Sequence, residues 1–113
     1  MSARGDAAEN LAATFLQRAG LEIVARNYRC RFGEIDLIAR EGKTLVFVEV
    51  RMRASDRFGG AAASITAAKR AKLSRAARHY LAGVARAPAC RFDALLVSGR
   101  DNSIEWLKNA FEE

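Results

Sequence analysis

The chain is short of the residues on which several kinds of chemistry depend. Its 113 residues include two cysteines and one histidine. Cys30 and Cys90 lie far apart in sequence, and no histidine stands at ligand spacing from either of them. Buried small side chains or idle thiols are therefore favoured over a zinc site or a disulfide. The only histidine, His79, sits inside a basic stretch, so a mechanism built on a catalytic histidine has little support.

Long apolar runs are also missing. No run approaches the roughly 18 residues that a membrane-spanning helix needs. The first stretch, MSARGDAAENLAATFL, carries acids early and lacks the apolar centre of a secretory signal. We therefore expect a cytoplasmic protein that makes no contact with a membrane. Half of the residues are hydrophobic, and neither repeats nor low-complexity tracts occur, so we expect one packed domain over residues 1–113.

Positive charge is in excess. Lysine and arginine number 19 against 13 acids, which gives a net charge of +6. In a domain of this size the excess favours an anionic partner, nucleic acid above all, over ordinary solubility charge. Five of the cations fall within residues 69–78, and we expect them to bind a phosphate backbone. They are Lys69, Arg70, Lys72, Arg75 and Arg78.

Apolar periodicity predicts two helices. Residues 6–19 repeat apolar side chains at the spacing of one helix face, and Gly20 is a natural end. Thr66 can cap a second helix over about 67–82. Glu9 lies at the rim of the first apolar face, where it is either a solvated surface acid or a carboxylate that reaches over the edge of the packed surface.

Alternating apolar residues predict strands at 21–30, 33–40, 44–51 and 91–99, with a short fifth strand from Ile104. Residues 53–63 predict a loop. The order is α-β-β-β-α-β-β, which indicates an α/β fold with a mixed sheet of four to five strands and helices packed on it. The first three strands predict an antiparallel meander, after which the long helix crosses to place the fourth strand elsewhere in the sheet.

The stretch GEIDLIAREGKTLVFVEVRMR, residues 33–53, places three acids in strands, where acids are disfavoured. A two-residue turn at Glu41-Gly42 would set Asp36 opposite Phe47 and Glu34 opposite Glu49. Side chains alternate between faces, so Glu34, Asp36, Glu49 and Arg51 then share one face. Asp36 and Glu49 become diagonal neighbours, roughly 7 Å apart or less.

Such a cluster suits a divalent cation. Half-buried carboxylates repel one another, and a cation cancels the repulsion. Mg²⁺ takes oxygen ligands, needs only one or two carboxylates, and keeps water and phosphate in its other positions. The alternative is a solvent-facing strand that carries Glu–Arg pairs.

An acid in one strand, a tight turn, and an acid-x-base at the end of the next strand resemble the PD-(D/E)XK nuclease superfamily. Here these elements are Asp36 and Glu49-Val50-Arg51. The chain is more closely similar to the YraN family of small bacterial proteins with an endonuclease-like fold. The similarity extends over nearly the whole chain, through GDAAENLAATFL, RNYRCRFGEIDLIA, LVFVEVRMR, FGGAAASIT, the basic helix and RFD.

The resemblance implies a restriction-endonuclease-like three-layer core and a Mg²⁺ or Mn²⁺ cofactor. It implies that Asp36, Glu49 and the backbone carbonyl of Val50 are metal ligands, and that Glu9 is an additional catalytic acid. Arg51 stands where the superfamily usually has lysine. Arginine can bind phosphate through two hydrogen bonds but cannot act as a base at neutral pH.

Two functions follow from this pattern. The first is a metal-dependent endonuclease that hydrolyses phosphodiester bonds in nucleic acid, with DNA as the expected substrate. The second is a nucleic-acid-binding protein that keeps the fold without cleavage, and Arg51 favours it. A protein-interaction module would leave the basic helix unexplained. A homodimer would let one small domain address two strands, and the number of subunits stays open.

Overall fold

The computed structural model describes residues 3–53 and 65–111. Its helices are α1 (Ala3–Arg18) and α2 (Ala67–Leu81). Its strands are β1 (Glu22–Cys30), β2 (Gly33–Glu41), β3 (Thr44–Arg53), β4 (Cys90–Ser98) and β5 (Ile104–Phe111). The predicted order of elements is confirmed, and each element lies within a few residues of its predicted bounds. Apart from Arg53, which ends β3, the loop predicted at 53–63 lies outside the described residues.

All five strands form one sheet in the order β1-β2-β3-β4-β5. The first three are an antiparallel meander, β4 lies parallel to β3, and β5 returns antiparallel to β4. Parallel neighbours need a long crossover connection, and α2 lies in the one that joins β3 to β4. Neither described helix is long and apolar enough to cross a membrane.

The turn between β2 and β3 differs from the prediction by one residue. Glu41 pairs with Thr44, so the turn residues are Gly42 and Lys43 rather than Glu41 and Gly42. Gly42 has φ +60°, and two-residue hairpin turns that begin with such a conformation favour glycine in first place. The correction moves the register of β2 against β3 by two residues, and a shift of two leaves the paired side chains on their predicted faces.

The two helices pack on opposite faces of the sheet. On one face α1 contributes Ala12 and Leu16 to a core cluster with Leu37, Val46 and Val48. On the other face α2 packs against the alternate strand residues, and the apolar cluster there includes Ile38, Phe47, Leu73, Ala76 and Phe92. The molecule therefore has three layers, helix, sheet and helix, as the family resemblance implied.

Ile35 is the exception to the predicted alternation. Strict alternation along β2 would place it on the face of Leu37, yet it belongs to the cluster beneath α2. The ladder between β2 and β3 ends at Leu37 and Val48, so the alternation inferred from a continuous ladder does not apply to the residues before Leu37. This parting of the two strands also shapes the candidate site.

Candidate metal centre

Asp36 and Glu49 meet where β2 and β3 part. Continuing the register one residue beyond Leu37 and Val48 sets Asp36 opposite Glu49, not opposite Phe47 as the sequence analysis predicted. The backbone N–H of Val50 donates to Asp36 Oδ2 at 2.8 Å. A side-chain carboxylate thus takes the position that a backbone acceptor of β2 would hold in a regular ladder.

This arrangement makes full ionisation of the pair unfavourable. Burial, followed by the hydrogen bond and the negative charge of Glu49, raises the pKa of Asp36 to about 8, although the Val50 N–H acts in the opposite direction. Without a cation, Asp36 therefore keeps a proton at neutral pH, since two close carboxylates cannot both ionise readily. A divalent cation between them would replace that proton.

Glu9 reaches the same place from α1. It is 5% exposed, which contradicts the reading of a solvated surface acid. Carboxylate oxygens of Glu9, Glu34 and Asp36 all lie within 4.8 Å of one another, and Glu34 also accepts from Arg29 Nε at 2.9 Å. Glu34 was predicted on the face of Asp36 but not as a ligand; the structure adds it to the group.

Glu49 is the most deeply buried acid of this group, with 4% of its side chain exposed. Its Oε2 is buried and accepts no hydrogen bond from the described residues. Two cations stand near this oxygen: Lys69 Nζ at 2.8 Å and Arg51 Nε at 3.8 Å. The Lys69 contact is an ion pair by distance that lacks the alignment of a hydrogen bond.

Lys69 occupies this position because of its place on α2. At about 100° per residue, it lies on the stripe that continues through Leu73, Ala76 and Tyr80. That stripe packs on the sheet, and Lys69 is its first-turn member. The N-cap Thr66 fixes the backbone there by accepting from the N–H of Lys69 at 3.2 Å. From the sequence, Lys69 was counted only among the phosphate-binding cations, and its place at the start of this apolar stripe was missed.

The remaining cations of α2 point in different directions. Lys72 lines the acid cleft. This cavity of about 480 Å³ is also lined by Glu34, Asp36, Glu49 and Lys69. Arg70 lines a separate cavity beside β4 and β5. Arg75 and Arg78 are exposed on the side of the helix away from the sheet. The five cations, which were expected to bind a phosphate backbone together, therefore lie on three different surfaces.

Arg51 follows Glu49 by two residues on β3 and shares its face. Its Nε is buried and has no hydrogen-bond partner among the described residues, and 28% of its side chain is exposed. A guanidinium has five donors in a fixed fork that matches phosphate. Arg51 can therefore present donors to a phosphate that enters beside Glu49.

The other buried acid, Asp93 on β4, has a different role. It is fully buried and accepts from Arg91 Nε at 3.0 Å, Trp106 Nε1 at 2.9 Å and the Asn109 N–H at 2.9 Å. Arg91 also binds Glu41 at 2.7 Å. Both carboxylate oxygens of Asp93 therefore accept from protein donors. These contacts join β4 to β5, and Asp93 is not a metal ligand.

The lone histidine and the cysteines stand apart from the acids. His79 is exposed, and its Nδ1 lies 2.5 Å from the Tyr28 hydroxyl. Both cysteines are free thiols; Cys30 is half-buried and Cys90 is exposed.

The residues present fit a hard divalent cation. The donor set consists of carboxylate oxygens, including the buried Glu49 Oε2 that lacks a hydrogen bond. A strand residue directs its N–H and C=O toward the same neighbouring strand. Because the Val50 N–H donates to Asp36, the Val50 carbonyl faces the same opening. Oxygen ligands of this kind suit Mg²⁺ or Mn²⁺.

Fold and site together define a small three-layer α/β protein with an acidic cleft between β2, β3 and α2. A family model described as "Uncharacterised protein family UPF0102" matches residues 8–97. The chain belongs to this family, which is the YraN family.

Its relatives are similar over nearly their whole length. A UPF0102 protein of Nitrosomonas europaea is 67% identical, with 97% of this chain and 94% of the relative covered. One from Methylobacillus flagellatus is 59% identical, with 98% of each chain covered. One from Cupriavidus taiwanensis is 57% identical, with 97% of this chain and 83% of the relative covered.

Proposed function

We propose that the protein is a metal-dependent nuclease that hydrolyses phosphodiester bonds in nucleic acid. The observation that carries the proposal is the pair formed by the half-buried Asp36 and the buried Glu49, opposed on two strands at the point where the strands part. A fold gains no stability from two facing carboxylates whose ionisation burial opposes. A cation-binding role explains why both are there.

Asp36, Glu49 and the Val50 carbonyl would hold the ion, and Glu9 and Glu34 border it. A bound Mg²⁺ would lower the pKa of a coordinated water and neutralise charge on the scissile phosphate. Arg51 would bind the non-bridging oxygens of that phosphate through its guanidinium fork and stabilise the charge that develops there.

A nucleic-acid strand is the substrate that the charges around the cleft favour. Lys72 borders the acids, and Arg75 follows one helical turn later on the exposed side of α2. Cations at this spacing would bind phosphates that flank the scissile one, which fixes the position of the strand without reading its sequence.

The test is hydrolysis of labelled single-stranded, duplex and branched DNA and of RNA, each with Mg²⁺, Mn²⁺ or EDTA. We expect metal-dependent cleavage by the wild type and its loss in Asp36→Asn and Glu49→Gln. Glu22→Gln is the matched control, because Glu22 is an exposed acid of the same sheet, with 67% of its side chain accessible. It should cleave normally.

The runner-up function, nucleic-acid binding without cleavage, makes a different prediction. It rests on Arg51, which cannot take a proton from water at neutral pH. Salt-dependent binding of these substrates, with no cleavage at any metal concentration, would reject the nuclease and support this alternative.

A further inference from the structure

Lys69 has an unusual position for a lysine. It lies on the stripe of α2 that packs on the sheet, and its ammonium approaches the one oxygen of Glu49 that has no hydrogen bond. An ammonium is a compact point charge. Next to Glu49 Oε2, this charge balances a buried carboxylate that is also a proposed metal ligand.

We infer that Lys69 occupies the cation position at Glu49 in the metal-free protein, and that a divalent ion displaces it toward the phosphate of the bound strand. This inference rests on the proposed function and goes beyond it. It gives Lys69 two successive roles: the lysine competes with the ion for Glu49, and it then binds the phosphate of the substrate.

Distance places the two cations in competition for Glu49. Mg²⁺ binds oxygen at about 2.1 Å, and Lys69 Nζ is 2.8 Å from Glu49 Oε2. If Lys69 stayed in place, the ion would be no more than about 5 Å from its ammonium, in a partly desolvated cleft where like charges repel strongly. This repulsion favours departure of the ammonium from Glu49 when the ion binds.

The side chain has room to move while its backbone stays fixed. The Thr66 cap holds the Lys69 N–H, and 38% of the side chain is exposed to the cleft. The flexible four-carbon stem can carry the ammonium to the cleft mouth beside Lys72. A strand phosphate that reaches the ion would then meet a lysine whose charge is no longer balanced by Glu49.

The first test is Mn²⁺ titration calorimetry on the full chain without nucleic acid. Lys69→Met keeps the length of the side chain, removes its charge and suits an apolar stripe. We expect it to bind Mn²⁺ about tenfold more tightly than the wild type, and Lys69→Arg to bind no more tightly. Arg70→Met is the matched control: it removes one charge from the same helical turn, but Arg70 faces the other cavity.

The second test measures binding to a phosphorothioate oligonucleotide, which resists hydrolysis, over a range of salt concentrations. With Mn²⁺, Lys69→Met should lower the salt slope by about one unit relative to the wild type. Without Mn²⁺, the two proteins should have the same slope, because Lys69 is then engaged with Glu49. A purely structural lysine would not show this dependence on the ion.

Unchanged or weaker Mn²⁺ affinity in Lys69→Met, with normal binding by the wild type, would overturn the inference and leave the nuclease proposal standing. Absence of Mn²⁺ binding by the wild type would overturn both. A slope difference of equal size with and without Mn²⁺ would show that Lys69 binds phosphate permanently and does not exchange with the ion.

Discussion

At the scale of single residues, the buried Asp93 and the half-buried Asp36 have opposite surroundings. Asp93 accepts from three different protein donors, whereas Asp36 accepts from one backbone N–H and faces another carboxylate. Asp93 therefore stabilises the fold, whereas Asp36 does not. The two acids lead to different predictions for the same substitution, aspartate to asparagine.

Asp36→Asn should leave the metal-free protein as stable as the wild type or slightly more stable. An asparagine can accept from the Val50 N–H and donate to Glu49, so it reproduces both contacts of the protonated Asp36. Thermal unfolding at pH 7 checks this, and added Mn²⁺ should raise the midpoint of the wild type only. A loss of about 1–3 kcal/mol without metal would show that the carboxylate is needed structurally.

Asp93→Asn should instead be strongly destabilising. It removes the charge that Arg91 neutralises in a fully buried position and points an NH₂ group at other donors. Breaking a buried pair costs roughly 3 kcal/mol or more. Urea unfolding of the two variants side by side is the measurement, and equal stabilities would contradict the roles assigned to the two acids.

The pKa of Asp36 gives a pH dependence with a definite sign. It is raised from 3.8 to about 8 in the folded protein, so between these values the folded state holds a proton that the unfolded state has lost. The stabilisation is complete below about pH 4 and declines as pH rises toward about 8, by at most about 1.4 kcal/mol per pH unit.

Urea unfolding of the metal-free protein at pH 5, 6, 7 and 8 should show this decline in the wild type. It should be much weaker in Asp36→Asn, since that side chain does not titrate. Parallel pH profiles for the two proteins would mean that Asp36 is ionised in the fold and that the facing carboxylates do not oppose each other as described.

At the scale of secondary-structure elements, local alternation predicted the strand residues of the site, whereas periodicity left two alternatives open for Glu9 and did not place Lys69 beside the acids. The side-chain period of two placed Asp36 and Glu49 on one face, and an error of two in register did not alter this. The burial of Glu9 and the position of Lys69 beside Glu49 depend on which side of each helix meets the sheet. On α1 the buried residues include Glu9 and Ala13, so the packed face extends over Glu9, which the sequence placed at its rim.

The division of cations around α2 leads to a prediction for nucleic-acid binding. Lys72→Gln combined with Arg75→Gln should lower the salt slope of binding by about two units, since each removes one phosphate contact. Arg70→Gln should have a smaller effect, because Arg70 lies beside β4 and β5. Fluorescence anisotropy at several salt concentrations is the measurement, and an unchanged slope in the double variant would make this side of α2 an ordinary solvated surface.

At the scale of the whole molecule, the order of elements could be predicted but the full sheet could not. Hydrophobic periodicity and turn residues indicated each helix and strand. The position of β4 beside β3 depends on contacts between residues far apart in sequence, such as the parallel pairing of Glu49 with Ala94, which local patterns do not encode. On its other side, β3 separates from β2 beyond Leu37 and Val48. The acid cleft lies at this separation.

The central claim, that Asp36 and Glu49 hold a divalent cation, is tested most directly by Mn²⁺ titration calorimetry at pH 7 in buffers of different ionisation enthalpy. We expect the wild type to bind the ion and release about one proton, the one that Asp36 holds in the metal-free protein. Asp36→Asn should bind far more weakly and release none. Absence of binding by the wild type, or equal binding and proton release by the variant, would contradict the claim.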